Sequence, residues 1–366
     1  MRWRFFLLFI APSLLHAGNG NGFKGKPQFY YLSYLDAYYS TNLNSKIRGP
    51  SESFLYNYNR NNTFSQNLVL LGLNVKHPRY RADLSFQTGT YVADNYKTES
   101  FWTSLIHEAK AGIALNRKKS LWVDAGIINS YIGFESPKGI DNATLTRSLA
   151  AEASPYYLTG MRLGWERDSL TIAGYLLNGW QTIHPANHAP TPSIGTEIKW
   201  KANKTGTLTW NTFLGSVSTA DTNRYNRYFS DLYWKQKIRK KWWLVYAFDI
   251  GTQQNISHTG WNSWWNSTFI VQYKINKYWR MAVRAEYFHD PHQTATYDYK
   301  SYPGFQAYGA SFNLDCLIIE DLPIRLEYRY IKRTLYSLGN PEIHTITLTV
   351  CGIASNEFHL PTKAKH

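Results

Sequence analysis

From Phe29 onward the sequence alternates with a period of two, segment after segment, and this restricts the fold more than any other feature. Successive side chains of a strand point to opposite faces, so alternation between apolar and polar residues marks a β-strand with two unlike sides. In residues 80–86, Tyr80, Ala82, Leu84 and Phe86 share one face; Arg81, Asp83 and Ser85 share the other. Residues 121–127 and 324–330 repeat the pattern. Sixteen such segments can be read, from one centred on Leu32 to one centred on Leu348; the count drops to fourteen if the segments around Gly174 and Ile198 are loop.

The connections alternate in length. Short ones fall at 77–79, 116–120, 166–169, 202–205, 238–241, 276–278 and 318–322. Long ones lie between them, at 41–65, 92–106, 130–154, 179–192, 216–226, 252–262, 289–303 and 333–342. Strict short–long alternation is the pattern of an up-and-down antiparallel barrel, whereas a soluble sandwich mixes hairpins with cross-sheet connections.

Three further features favour a membrane over water. The segments run to about ten residues, enough to cross a bilayer when tilted. Tyr and Trp gather near segment ends, at Tyr38, Tyr39, Tyr91, Trp165, Trp180, Trp200, Trp242, Trp243, Trp264, Trp265, Tyr278 and Trp279, where amphipathic rings meet the two membrane–water interfaces. No segment has the length and pattern of a helix that could cover a sheet face. The expected fold is all-β: a transmembrane β-barrel with short periplasmic turns and long extracellular loops.

The N-terminus points to the same compartment. Arg2 and Arg4 precede an apolar run, 5–15, which is too short to span a bilayer as a helix; the small residues Ala17 and Gly18 follow. The expected division is a signal peptide over 1–17, a periplasmic segment over 18–27, the barrel over 28–354 and a tail over 355–366. The net charge of +15 would suit nucleic acid, but an exported chain with no basic recognition helix gives no such partner. Part of the excess sits in tight turns, at Arg117, Lys118 and Lys119 and at Arg239, Lys240 and Lys241. Cys316 and Cys351 fall on different strands and read as single side chains, and no His pair has metal-ligand spacing. No metal or cofactor is expected. No Gly-x-Ser-x-Gly elbow is present, and strand parity assembles no Ser/His/acid set, so the chain does not read as an enzyme.

If the apolar parity faces lipid, the other faces a lumen. The expected lumen charges are Lys76, Arg81, Lys110, Arg162, Lys199, Lys235, Lys274, Arg280, Arg284, Arg325 and Arg329 against Asp83, Glu108, Asp124, Glu197, Asp231, Asp249, Glu286, Asp315 and Glu327. Such a mixed lining predicts at most a mild anion preference. The pore wall is expected to be carried by Arg162, Arg280, Arg284, Glu286, Arg325, Glu327 and Arg329. Sixteen strands leave a water-filled channel that needs a constriction to sieve. The loop over 130–154 is the candidate. It carries Glu135, Lys138, Asp141, Arg147 and Glu152 and a run of helix formers over 145–153, and loops this long are usually functional or disordered. Folded inward, its charges would face the arginines of the far wall, with Glu135, Arg147 and Glu152 at the narrowest point.

Five stretches carry a resemblance: FLYNYNRNN (54–62), GTYVADNY (89–96), LWVDAGIINSYIGFESPKGIDNATLTRSLAAEASPYY (121–157), YLLNGWQ (175–181) and RAEYFHD (284–290). The chain resembles the OmpL-like β-barrel outer-membrane porin family of Bacteroidota-type bacteria. The resemblance implies a barrel in the bacterial outer membrane with pore function; with the mixed lumen lining, the expected function is a passive channel for small hydrophilic solutes, surrounded by outer-membrane lipid. It supplies no particular solute. Homo-oligomerisation stays open, and a non-conducting barrel with a structural or surface-interaction role is the alternative. One departure stands out. Barrels of this kind usually end on an aromatic, whereas the last expected strand, 345–353, is followed by a polar tail whose single aromatic is Phe358; either the strand runs on to Phe358 with a short extension, or the recognition end is degenerate.

Overall fold

The computed structural model describes residues 25–184, 192–218, 224–255, 257–296, 298, 300–301, 304–335 and 340–358. The expected signal peptide lies outside them. Sixteen long strands form the described barrel: β1 (Gln28–Asn42), β2 (Thr63–Lys76), β3 (Tyr80–Thr88), β4 (Ile106–Ala114), β5 (Leu121–Asn129), β6 (Tyr157–Glu166), β7 (Leu170–Leu177), β8 (Ser193–Asn203), β9 (Gly206–Ser218), β10 (Arg224–Ile238), β11 (Trp242–Gln254), β12 (Trp261–Lys274), β13 (Trp279–Asp290), β14 (Phe305–Cys316), β15 (Ile324–Arg333) and β16 (Glu342–Phe358). Each pairs antiparallel with its sequence neighbours, and β1 pairs with both β2 and β16, so the sheet closes. Closure leaves no free edge, which hydrocarbon could not hydrogen-bond. The segments around Gly174 and Ile198 are both strands, β7 and β8. Two further two-residue strands, Gly49–Pro50 and Arg60–Asn61, pair inside the first long loop.

The parity read from the sequence holds around the wall. Outward side chains are apolar and exposed, among them Leu71 (60 %), Ile113 (54 %), Val283 (49 %) and Phe312 (47 %). So continuous an apolar surface would aggregate in water and is matched by lipid. Cys351 is buried on the inner face, whereas Cys316 lies on the outward parity beside exposed Trp279, and both thiols are free. Opposite faces of a closed wall forbid a bridge.

Two features differ from expectation. The last strand runs past Ala354 to Phe358, which pairs with Phe29 at a ring-centroid distance of 5.8 Å. The polar residues 355–357 therefore belong to the wall, because β1 offers them backbone partners. The inner face is also not polar throughout. Towards the long loops it turns apolar, and Phe213, Phe229, Trp264, Phe288 and Phe305 join Phe54, Ile132 and Leu149 from the loops in a buried cluster. This end of the lumen is packed with loop side chains like the core of a soluble domain.

Candidate functional site

The third long loop enters the lumen, and its path follows from glycine and arginine chemistry. Gly126 on β5 and Gly160 on β6 face each other at the roots of the loop, with φ of 134° and 156°. A Cβ at either position would run into backbone of the neighbouring strand, so these positive-φ positions admit only glycine. Beyond them, Gly133 N donates to Asp231 Oδ2 at 2.8 Å and Lys235 Nζ donates to Phe134 O.

The loop then crosses to the opposite wall, where charged side chains satisfy its backbone. Arg325 donates to the carbonyls of Gly139, Asn142 and Ala143, and Gln272 Nε2 to Ala143 O at 2.9 Å. Arg284 reaches Thr144 Oγ1, Thr146 O and Thr146 Oγ1 at 3.0, 2.6 and 3.0 Å. The loop amides in turn donate to the same wall. Leu145 N donates to Asn313 Oδ1, Thr146 N to Glu327 and Leu149 N to Glu286, at 3.0, 2.5 and 2.7 Å. A buried loop must find a partner for every amide and carbonyl, and this wall supplies them from side chains. The run of helix formers consequently yields only one short helix, α1 (Leu149–Glu152), capped by Ser148. The Thr146 amide is taken by Glu327, and residues 142–146 form a run of bends against the wall rather than a helix.

The wall charges also pair among themselves. Arg325 Nε meets Asp315 at 2.7 Å, Arg280 meets the same carboxylate at 2.6 Å, Arg329 meets Glu286 at 2.8 Å and Arg284 meets Glu327 at 3.1 Å. Charge-assisted bonds in a dry environment are the strong ones. Breaking a buried pair by removing one partner costs about 3–5 kcal/mol.

A closed sixteen-stranded outer-membrane barrel with a loop folded into its lumen is the architecture of a porin. A family profile described as "Putative beta-barrel porin-2, OmpL-like" matches residues 29–354. The chain belongs to the OmpL-like β-barrel porin family. This porin therefore resides in the bacterial outer membrane, and its family and fold are those of a channel protein rather than an enzyme. Solved structures support the fold. The outer-membrane channel DcaP of Acinetobacter baumannii matches with a TM-score of 0.61 at 10 % identity, covering 91 % of this chain and 99 % of that one. The anion-selective porin from Comamonas acidovorans matches with a TM-score of 0.58 at 8 % identity, covering 91 % and 100 %. The trimer form of OmpT of Vibrio cholerae matches with a TM-score of 0.58 at 8 % identity, covering 90 % and 100 %. No curated protein matches the chain.

The loop charges of this porin fall into two groups. Lys138 and Asp141 pair at 3.0 Å and remain partly exposed. Glu135, Arg147 and Glu152 are spent within the loops. Glu135 accepts from the Ser148 amide and hydroxyl at 2.8 and 2.6 Å, closing one arm of the loop on the other. The Arg147 guanidinium lies 4.4 Å over the Tyr156 ring and donates to Ala151 O at 3.1 Å. Glu152 accepts from Tyr156 Oη at 2.6 Å and from Tyr56 N of the first loop at 3.0 Å. Arg147 and Glu152 are both buried. Parity could not show this, because a loop has none.

The far wall divides as well. Arg284, Glu286, Arg325, Glu327 and Arg329 are buried beneath the loop, and Arg280 beside them is partly exposed. Arg162 belongs to a separate cluster with Asp124, Glu166 and the Tyr175 hydroxyl, on the arc from β3 to β8. Water reaches that arc: Arg81, Lys110, Asp83 and Glu166 keep 27, 25, 19 and 30 % of their side chains exposed. Several inward charges escaped the sequence reading although strand parity marks them. Asp36 accepts from the hydroxyls of Tyr58 and Thr349, both at 2.5 Å. Arg333 joins Glu52 and Asp298. Arg227 stacks between Trp180 and Trp264 at 4.7 and 4.9 Å. Arg227 and Arg333 lie near strand ends, where the first, fourth and seventh loops pack, and Asp36 lies mid-strand beneath the first loop. Among the described residues no group of three or more His, Cys, Asp or Glu side chains is placed to hold a metal ion.

Proposed function

We propose that this porin is a passive diffusion channel for small hydrophilic solutes, constricted by its third long loop. The observation that carries the reading is asymmetric hydration. The loop is bonded to the β12–β15 wall, while the β3–β8 arc opposite keeps its charges of both signs partly exposed. Solutes would pass along that arc, with Lys138 and Asp141 at the loop's free margin. A lining of interleaved charges of both signs favours polar over apolar solutes. Outer-membrane lipid would contact the apolar outer wall, and homo-oligomers would use part of the same surface.

Deleting residues 136–151 is expected to enlarge the solute size cutoff in liposome-flux measurements; an unchanged cutoff would remove the constriction from the loop. One observation favours a second reading, a non-conducting barrel with a structural or surface-interaction role. Residues 142–152 are buried without a break, and the loop-side lumen is packed with aromatics. Single-channel recording in planar bilayers separates the two: stable conductance steps support the channel, and silent insertion of folded barrels supports the alternative.

A further inference from the structure

Strand parity gives the lumen charges of both signs, but the fold neutralises most of them in pairs. Arg81 and Arg162 meet Asp124 and Glu166, and Lys110 meets Asp83 and Glu108. Arg280 and Arg325 meet Asp315, Arg284 meets Glu327 and Arg329 meets Glu286. Asp231 and Asp249 are buried in the wall. Exposed charge that no carboxylate meets gathers in a row of lysines. Lys199 on β8, Lys237 on β10 and Lys274 on β12 lie on the inward parity at the short-turn, periplasmic end, and all three are exposed. Lys235, between them, donates to Phe134 O. Among the described residues none of these four lysines forms an ion pair.

The surroundings reinforce the sign. The three turns from β8 to β13 add Lys204, Arg239, Lys240, Lys241 and Lys277 without a carboxylate; the acidic turn residues, Asp168 and the pair Glu320 and Asp321, lie to either side. The carboxylate two residues along β8, Glu197, accepts from the Tyr175 hydroxyl at 2.8 Å and stands 3.9 Å from Arg162, so it belongs to the opposite arc. Strands pack about 4.8 Å apart, so lysines on alternate strands follow one another at about 10 Å. The screening length at physiological salt is about 8 Å. The fields of adjacent lysines therefore overlap and act as one. A cleft lined by one sign of charge between low-dielectric walls focuses such a field and concentrates counterions. The row borders the hydrated β3–β8 arc, since Lys199 stands on β8 itself.

We propose that the periplasmic mouth of this porin is an anion vestibule, and that the channel selects small anionic solutes, such as those bearing a carboxylate or a phosphate, over cations. This rests on the channel reading and sharpens its solute class. The lysines concentrate anions without holding any one of them. Their ammonium groups are spread over three strands and do not converge on a single ion. Conduction needs binding weak enough to leave as well as to enter, and a diffuse field meets that condition.

Reversal potentials of the full-length porin in planar bilayers, under a KCl gradient, test it. Wild-type channels are expected to pass chloride over potassium by about tenfold in dilute salt, the low end of what a charged cleft achieves. The preference should fall towards unity at about 1 M salt, where the screening length is about 3 Å. Lys199→Glu/Lys237→Glu/Lys274→Glu should abolish or reverse the preference; if it does not fold, as judged by heat-modifiability on gels, Lys199→Gln/Lys237→Gln/Lys274→Gln should still reduce it. Arg117→Gln/Lys118→Gln/Lys119→Gln, in the turn between β4 and β5, should leave it unchanged. An equal loss in that variant would trace the preference to overall charge and overturn the proposal. Conducting wild-type channels with no anion preference, or a folded lysine-row variant that keeps it, would overturn the proposal and leave the channel reading standing. Silent insertion of folded wild-type barrels would overturn both.

Discussion

Single side chains show how the lumen holds its loop. Arg325 has no exposed surface and serves Asp315 on one side and three loop carbonyls on the other. Arg325→Ala removes one of the two arginines on Asp315 and the donor to the Gly139 and Asn142 carbonyls, so a loss of about 3 kcal/mol, the low end for a broken buried pair, is expected in urea unfolding. Arg325→Lys should recover part of this, since an ammonium pairs with Asp315 but cannot reproduce the guanidinium fork. Glu152 gives a pH signature. Burial raises its carboxyl above the usual carboxylate range, against opposing effects of Arg147 and the Tyr156 hydroxyl. A raised acid stabilises the fold fully below its unfolded pKa, about 4.3, and that contribution is lost as pH rises through the folded value. The stability difference between wild type and Glu152→Gln should therefore move against wild type as pH rises from about 4 to 8, read from urea midpoints at each pH.

Among elements, the tight turns and the third loop obey different physics. The three-residue turn between β10 and β11 places Arg239 and Lys240 at φ of 49° and 61°, the left-handed region that Asn and Gly adopt readily. Arg239→Asn/Lys240→Gly should stabilise the barrel by on the order of 1 kcal/mol, seen as a higher unfolding midpoint. Turn positions were legible in the sequence because breaks in a period-two pattern locate them. The loop was legible only as a long, charged interruption. Its residues pair with strands far along the chain, as Thr146 does with Glu327 and Leu149 with Glu286, and no local pattern encodes such contacts.

At the scale of the whole molecule, closure is the decisive act. It joins β1 to β16 from Phe29–Phe358 at one end to Asn42–Thr345 at the other. Truncation after Ala354 removes the pairings of Leu32, Tyr31, Tyr30 and Phe29 and exposes a strand edge to lipid. The yield of folded, heat-modifiable barrel should fall sharply, measured by gel shift; full recovery of folding would show that the last four residues of β16 are dispensable. Closure also explains the lumen. The curved wall brings β9–β15 around the loop on one side and leaves β3–β8 facing water on the other.

The sequence by itself determined the strands, their two faces and the side on which each connection lies, and left their number at sixteen or fourteen. Alternation is a local property, and hydrocarbon outside a closed sheet leaves one way to satisfy it. Family membership was legible too, through the 121–157 stretch. Tertiary structure alone decided that Arg147 and Glu152 are buried among the loops while Lys138 and Asp141 remain partly exposed. It also decided that an apolar core fills the loop-side lumen and that Phe358 completes the wall. These depend on which residues meet across the barrel, and the packing of long-range partners settles that, not the period of any one segment.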